Sequence, residues 1–224
     1  MKALLNIAFA GLVQLTVIAA LLFVPAGTLN YWQAWLVLAV IAATAFAPSL
    51  FLQITSPAAM QRRMRGGPMA EGRPVQKIVM AGLYVSLAAI CIVSALDHRH
   101  HWSNVPIALC LAGVALVASG LVMTVLVVRQ NHHASTTVQV EADQQVISSG
   151  LYGHVRHPMY TANTLILTGL PLALGSYWGL VFLIPGILVL ASRIHDEEKL
   201  LTEQLDGYRD YTQQVRHRLV PGMW

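Results

Sequence analysis

The stretch from Val105 to Val128, VPIALCLAGVALVASGLVMTVLVV, carries no charged residue. As an α-helix at 1.5 Å per residue it extends roughly 36 Å, enough to cross about 30 Å of hydrocarbon. Working outward, five more apolar stretches can be drawn: Ala3–Val24, Tyr31–Gln53, Ile78–Leu96, Met159–Leu174 and Tyr177–Ala191. The first three are also long enough to span. The last two are shorter, are joined only by Gly175-Ser176, and contain Pro171 and Pro185-Gly186. They read as a tight helical hairpin that spans obliquely or in part. Lys2 precedes the first stretch as in a signal peptide. That run, however, is longer than a 7–15-residue signal core and has no clean small-residue cleavage site, so it reads as a retained helix. The expected fold is all-α, a polytopic membrane protein with about six hydrophobic helices and a small cytoplasmic cap. Residues 1–224 form a single membrane domain, with four transmembrane helices in 1–128 and the hairpin in 129–224.

Composition supports this reading. Of 224 residues, 56% are hydrophobic and 11% are charged, against about 25% charged in soluble domains. Apolar content this high also excludes long disorder. In a membrane chain the net charge of +4 is read as loop orientation and headgroup contact rather than as a nucleic-acid interface. Cys91 and Cys110 both lie in apolar runs and read as packing residues, without a disulfide framework.

The basic residues fall on one side. Thirteen of the 14 lysines and arginines lie in one alternating set of segments, and the opposite loops hold only Arg99. The positive-inside rule then puts both termini in the cytoplasm. The long polar segments, Ser56–Lys77, Arg129–Pro158 and Arg193–Trp224, share that side, so chemistry is expected at the cytoplasmic face. Within the first of them, Arg65–Pro74 is punctuated by Gly and Pro and reads as a flexible basic loop. No Asp, Glu, Lys, Arg or His lies inside the six stretches, which argues against a proton-coupled transporter and leaves a passive pore open. Gln14, Thr44, Thr124 and Asn163 are expected to be satisfied by helix–helix hydrogen bonds.

Two polar constellations remain. The first is Gly150-Leu-Tyr-Gly-His-Val-Arg-His-Pro-Met-Tyr160, where Pro158 suits the first turn of a helix. His154, Arg156 and His157 would flank the positive end of that helix, which favours a carboxylate or phosphate. An interfacial anchor with Tyr152 and Tyr160 as belt aromatics is the competing reading. The second is Arg193-Ile-His-Asp-Glu-Glu-Lys199. Arg193 and Glu197 are i,i+4 neighbours if the helix continues, either as a surface ion pair or as part of a pocket. The hairpin returns this segment to the side of Arg156. Arginines, imidazoles and carboxylates gathered there suit a zwitterionic ligand. Asp97-His-Arg-His-His101 resembles a metal-ligand cluster but reads as an interfacial loop, and no metal site is assigned. His132-His133 read equally as helix caps or ligands. No dinucleotide, P-loop, zinc-protease or nucleophile-elbow motif is present.

Gly150-x-Tyr152-x-x-x-Arg156-His157-Pro158-x-Tyr160 resembles the signature of the isoprenylcysteine carboxyl methyltransferase family and its bacterial relatives. Arg193-x-x-x-Glu197-Glu198, Gly207-Tyr208-x-x-Tyr211 and Arg216-x-Arg218-Leu219-x-Pro221 match the C-terminal part of that family in order. Gln139 corresponds to a family position ahead of the Arg-His-Pro motif. The resemblance covers about Arg129–Trp224. It implies an S-adenosylmethionine-dependent methyltransferase of the bacterial inner membrane, yielding S-adenosylhomocysteine, with 129–224 as the cofactor-binding and catalytic part. Gln139, Tyr152, His154, Arg156, His157, Pro158, Tyr160, Glu197 and Glu198 are implied to line the cofactor site. Arg193 and Glu197 are implied to lie nearest a lipophilic methyl acceptor entering from the bilayer.

Methyl transfer from a sulfonium is an in-line displacement that depends on positioning and exclusion of water. A carboxylate acceptor needs no base, whereas an amine or thiol would need one, and the sequence leaves that choice open. An NADPH-dependent membrane reductase of the sterol-reductase type, and a non-catalytic transport or assembly module, stand as the alternatives.

Overall fold

The computed structural model describes residues 2–55, 74–131, 144–222 and 224. The expectations for Gln139, for His132-His133 and for the basic loop up to Arg73 lie outside the described residues. The elements are α1 (Lys2–Ala26), α2 (Trp32–Thr55), α3 (Pro74–His100), α4 (Ile107–Gln130), α5 (Pro158–Ala173), α6 (Leu183–Gln204) and the short α7 (Tyr208–Gln214). Single 3₁₀ turns lie at Gly150–Gly153 and Trp178–Phe182. Among the described residues there is no strand. Helix suits such apolar runs because every backbone polar group is satisfied within the segment, as hydrocarbon requires.

Among the described residues, four helices are long and apolar enough to cross a membrane: Ala8–Ala26, Gln76–His100, Ile107–Gln130 and Trp178–Gln204; within α2, Trp32–Thr44 forms a shorter apolar part. The last of the four runs past the apolar stretch, as the i,i+4 placing of Arg193 and Glu197 requires. The hairpin's second arm does not stop at Ala191 where hydropathy falls but continues as helix to Gln204. Pro185 sits in its first turn, where a missing N–H removes no hydrogen bond. Beyond Ala191 only the face that packs needs to be apolar. Thr44 and Thr124 differ from expectation. Each donates to the carbonyl four residues earlier, Val40 at 2.7 Å and Gly120 at 3.0 Å, so each is satisfied within its own helix.

The α4–α5 pair sits at the centre, with the backbones in contact. A Cβ on Gly113 would lie 2.3 Å from the Ala173 nitrogen, and one on Gly169 would lie 2.7 Å from the Gly113 carbonyl. Gly120 abuts the Ala162 carbonyl in the same way, at 2.6 Å. Small residues at such a seam let helices approach closely where lipid supplies no hydrophobic drive. Around the pair, α2 packs on α4, α3 packs on α6, and α1 lies against α2 and α3. Leu22, Val37, Ile90, Val117, Leu167 and Leu190 bring the core together from all six long helices. Phe9, Leu12 and Val17 on α1, Val85 on α3, and Ile184 and Leu188 on α6 point outward, as lipid-facing side chains would.

The α1–α2, α3–α4 and α5–α6 connections meet at one end. Asp97 accepts from the Ser103 amide (2.7 Å), the Ser103 hydroxyl (2.6 Å) and the Ser176 hydroxyl, joining the last two connections. Tyr31 donates to the Leu174 carbonyl at 2.7 Å and ties in the first. The stretch Asp97–His100 is therefore the last turn of α3 rather than a loop, with His101 just past its end. His98 stacks on Tyr31 and His100 on Trp102. Trp32, Trp35, Trp102, Tyr177 and Trp178 are exposed around this end.

The seam is the fold's least tolerant contact, because backbone cannot rotate out of the way. Gly113→Val should cost at least about 3 kcal/mol, the upper range for overpacking. Gly11→Val, with nothing within 4 Å of its added carbon, should leave thermal unfolding of the purified protein nearly unchanged. Equal melting temperatures for the two variants would contradict the close-packed seam.

Candidate functional site

The opposite end gathers most of the polar side chains. Pro158 opens α5, and the residues before it run beside the C-terminal segment. The Arg156 amide donates to the His217 carbonyl at 2.9 Å and the His157 amide to that of Arg218 at 3.0 Å. The Arg156 Nη1 donates to the carbonyls of Val215 and Arg216, at 2.9 and 3.0 Å. Thr161 donates to the Leu219 carbonyl at 2.7 Å. The tail is thus held through its main chain. In the sequence it is recognisable only as a family-like motif.

Glu198 fastens this arrangement to α6. Its Oε1 accepts from Arg156 Nε at 2.8 Å and lies 3.2 Å from His157 Nε2, while its Oε2 accepts from Arg218 Nε at 2.8 Å. Arg156 and Glu198 side chains are only 8% and 13% exposed, against 33% for Arg218. The inner pair therefore carries more of the interaction than the screened outer one. Arg218 also lies over the Trp224 ring, 5.3 Å from its centre.

One residue earlier, Glu197 faces a different set of partners. Tyr160 donates to Glu197 and accepts from Arg193 Nε at 2.9 Å. Arg193 Nη1 donates to Gln76 Oε1 at 2.8 Å, and the Gln76 amide donates in turn to Asp196. Gln76 is wholly buried and Arg193 is 3% exposed. The surface ion pair is thus excluded, because Arg193 lies inside the protein and meets Glu197 through Tyr160. Tyr160, likewise buried, is no belt aromatic.

A third group holds the segment before α5. Asn131 donates to the Tyr152 hydroxyl at 3.1 Å, and the Tyr211 hydroxyl donates to the Tyr152 carbonyl at 2.7 Å. Burial pushes the Tyr152 phenol up to about 12, and the negative charge of Glu197 adds to the shift. Burial likewise raises Tyr211. Gln130 Oε1 accepts from the Leu151 amide at 3.0 Å, and a Cβ on Gly150 would lie 2.5 Å from the Gln130 amide nitrogen. Gly150 also has φ +59°, so glycine is demanded there twice over.

Of the residues singled out in the sequence, Arg156, His157, Tyr160, Arg193, Glu197 and Glu198 come together. Pro158 positions them, and Tyr152 adjoins them. His154 is exposed at the end of the 3₁₀ turn, apart from the buried network. Gln76 and Arg218 are the additions. Gln76 had one signal, a polar residue at the start of an apolar helix, but nothing in the sequence pairs it with Arg193. The assembled groups offer buried cationic and anionic side chains within a few ångströms, a donor set that matches a zwitterion.

Residues 109–207 match the family model of the phospholipid methyltransferases. The match takes in most of α4, the Arg156-His157-Pro158 turn, the hairpin and both glutamates. It implies methyltransferase chemistry in general, in a membrane protein. Among curated proteins, none matches the chain.

Replacing Glu198 by glutamine removes the charge but keeps the shape, leaving the buried Arg156 without its anion. Loss of one partner of a buried pair costs about 3 kcal/mol. The tail should then exchange its amide hydrogens faster at 217–219 than in the parent protein. Unchanged protection there would show that Glu198 does not hold the tail.

Proposed function

We propose that the chain is an S-adenosylmethionine-dependent methyltransferase of the bacterial inner membrane. On this reading it methylates a lipophilic acceptor, an isoprenylcysteine-like carboxylate, at the cytoplasmic face, and both termini lie on that side. The Arg193–Tyr160–Glu197 relay, buried where α3, α5 and α6 converge, is the observation that carries this reading. The likeness of 109–207 to phospholipid methyltransferases and the one-sided distribution of basic residues support it.

The donor set fits such a cofactor. An amino-acid end carries both charges, and the site holds arginine and glutamate together. Tyr208 adds a buried hydroxyl with no partner among the described residues. The cofactor supplies an electrophilic methyl group on a sulfonium. Arg156, His157 and Tyr152 would hold it from the α5 side and Glu197 from α6, with Glu198 fixing Arg156 and His157 in place. Arg193 is fixed at Nε by Tyr160 and at Nη1 by Gln76, so its position is set before an acceptor carboxylate arrives. An ionised carboxylate needs no proton removed, and the work of the side chains is then orientation and exclusion of water. Glu197 balances the charge of Arg193 through Tyr160, which limits over-stabilisation of the acceptor's ground state.

Calorimetric titration of the detergent-purified protein with S-adenosylhomocysteine should give saturable binding, and NADPH should give none. Glu197→Ala should weaken S-adenosylhomocysteine at least tenfold. With a prenylcysteine acceptor in vesicles, the product should be a base-labile methyl ester. Saturable NADPH binding without S-adenosylhomocysteine binding would reverse the assignment.

A further inference from the structure

Three tyrosines gather beyond the glutamate pair, near enough for its charges to act on Tyr152 and Tyr208, and two of them have hydroxyl partners. Tyr152 accepts from Asn131, and Tyr211 donates to the Tyr152 carbonyl. The third, Tyr208, is 4% exposed, and its hydroxyl has no hydrogen-bond partner among the described residues. A buried hydroxyl left unpaired is costly and rare, and in a native protein it calls for a reason. Packing alone does not supply one. The Tyr208 ring lies 5.8 Å from that of Tyr211, in an apolar cluster with Val215, Leu201 and Leu205. Phenylalanine would fill that place without the unmet oxygen.

The location supplies a reason. α7 follows α6 after a short turn in which Gly207 takes φ +80°, so Tyr208 lies ten residues beyond Glu198 and packs back on the last turns of the same helix. Burial raises its phenol most. The charges of Glu198 and Glu197 raise it further, and that of Arg156 works the other way. The hydroxyl therefore lies in the field of the groups that make up the site. Glu198 is already matched by Arg156, His157 and Arg218. Glu197, in contrast, has only the neutral phenol of Tyr160 as its direct hydrogen-bond donor among the contacts described above. Negative charge beside an unoccupied phenolic oxygen selects a ligand group that donates hydrogen bonds and carries positive charge.

We propose that Tyr208 is a ligand-binding residue of this site, its hydroxyl accepting a hydrogen bond from the ammonium group at the amino-acid end of the cofactor. The inference rests on the methyltransferase reading above and adds to it a residue on α7, outside the Arg-His-Pro turn and the glutamate pair. It also gives the short α7 a purpose, which is to bring one oxygen to the site.

The test uses the full-length protein in detergent and two probes. S-adenosylhomocysteine carries the amino-acid end, and 5′-methylthioadenosine lacks it. Tyr208→Phe should weaken S-adenosylhomocysteine about tenfold while changing 5′-methylthioadenosine less than about twofold. Its ligand-free melting temperature should stay equal to the parent's or rise, because an unpaired polar atom is removed. Unchanged S-adenosylhomocysteine affinity, or equal losses for both probes, would overturn the proposal. If Tyr208→Phe does not fold, 3-fluorotyrosine placed at position 208 gives a second readout. Its fluorine resonance should shift on addition of S-adenosylhomocysteine and not on addition of 5′-methylthioadenosine, and any other pattern rejects the contact. A parent protein that binds neither probe fails the methyltransferase reading itself, and that result is distinguished before any variant is made.

Discussion

Backbone touching backbone between α4 and α5 is the constraint from which the site's position follows. Gly113 and Gly120 on one helix meet Gly169, Ala173 and Ala162 on the other with no room for a side chain. Two helices in such contact cannot slide without meeting a steric barrier at every turn, so their register is fixed. The register sets the height of Pro158, and with it Arg156 and His157, relative to Gln130 and Asn131 at the end of α4. Gln130 then receives the Leu151 amide beneath Gly150, and Asn131 reaches Tyr152. The chain returns to α5 at one level only.

The charges are arranged with the same economy. Arg193 is a buried cation on α6, 3% exposed. It is hydrogen-bonded by two neutral oxygens, on Tyr160 and Gln76, with carboxylates beyond each of them. Those neutral groups spread the compensation for its charge over more than one carboxylate. Glu198 does the opposite. It is saturated by two guanidiniums and an imidazole and serves as a fastener. Adjacent carboxylates thus take different parts because successive helical residues face different directions.

The helical class and the gathering of Arg156, His157, Glu197 and Glu198 were legible in the sequence, because hydropathy marks helices and a short link returns the chain to the side it left. The link itself is longer than Gly175-Ser176 and runs from Leu174 to Phe182 through a 3₁₀ turn. Helix ends were less legible. The extension of α6 to Gln204 escapes a hydropathy reading because a helix that leaves an apolar environment keeps its hydrogen bonds while its surface composition changes. Gln76 was hidden for a different reason. Its partner lies 117 positions away, across a contact between α3 and α6 that no local pattern encodes. The burial of Arg193 was hidden with it, since i,i+4 spacing to Glu197 looks the same on a surface helix as on an interior one.

The exposed ring of Trp32, Trp35, Trp102, Tyr177 and Trp178 has a consequence for how deep the reacting groups sit. Indole and phenol rings settle at the boundary between headgroups and acyl chains, so this end is anchored to one face of the bilayer. The rigid α4–α5 pair then acts as a ruler from that face to the relay. In a thicker membrane the relay is drawn toward the acyl chains, and in a thinner one it is pushed out among the headgroups, unless the helices tilt to absorb the mismatch. Lipid chain length thereby sets the depth of Arg193 relative to the headgroups.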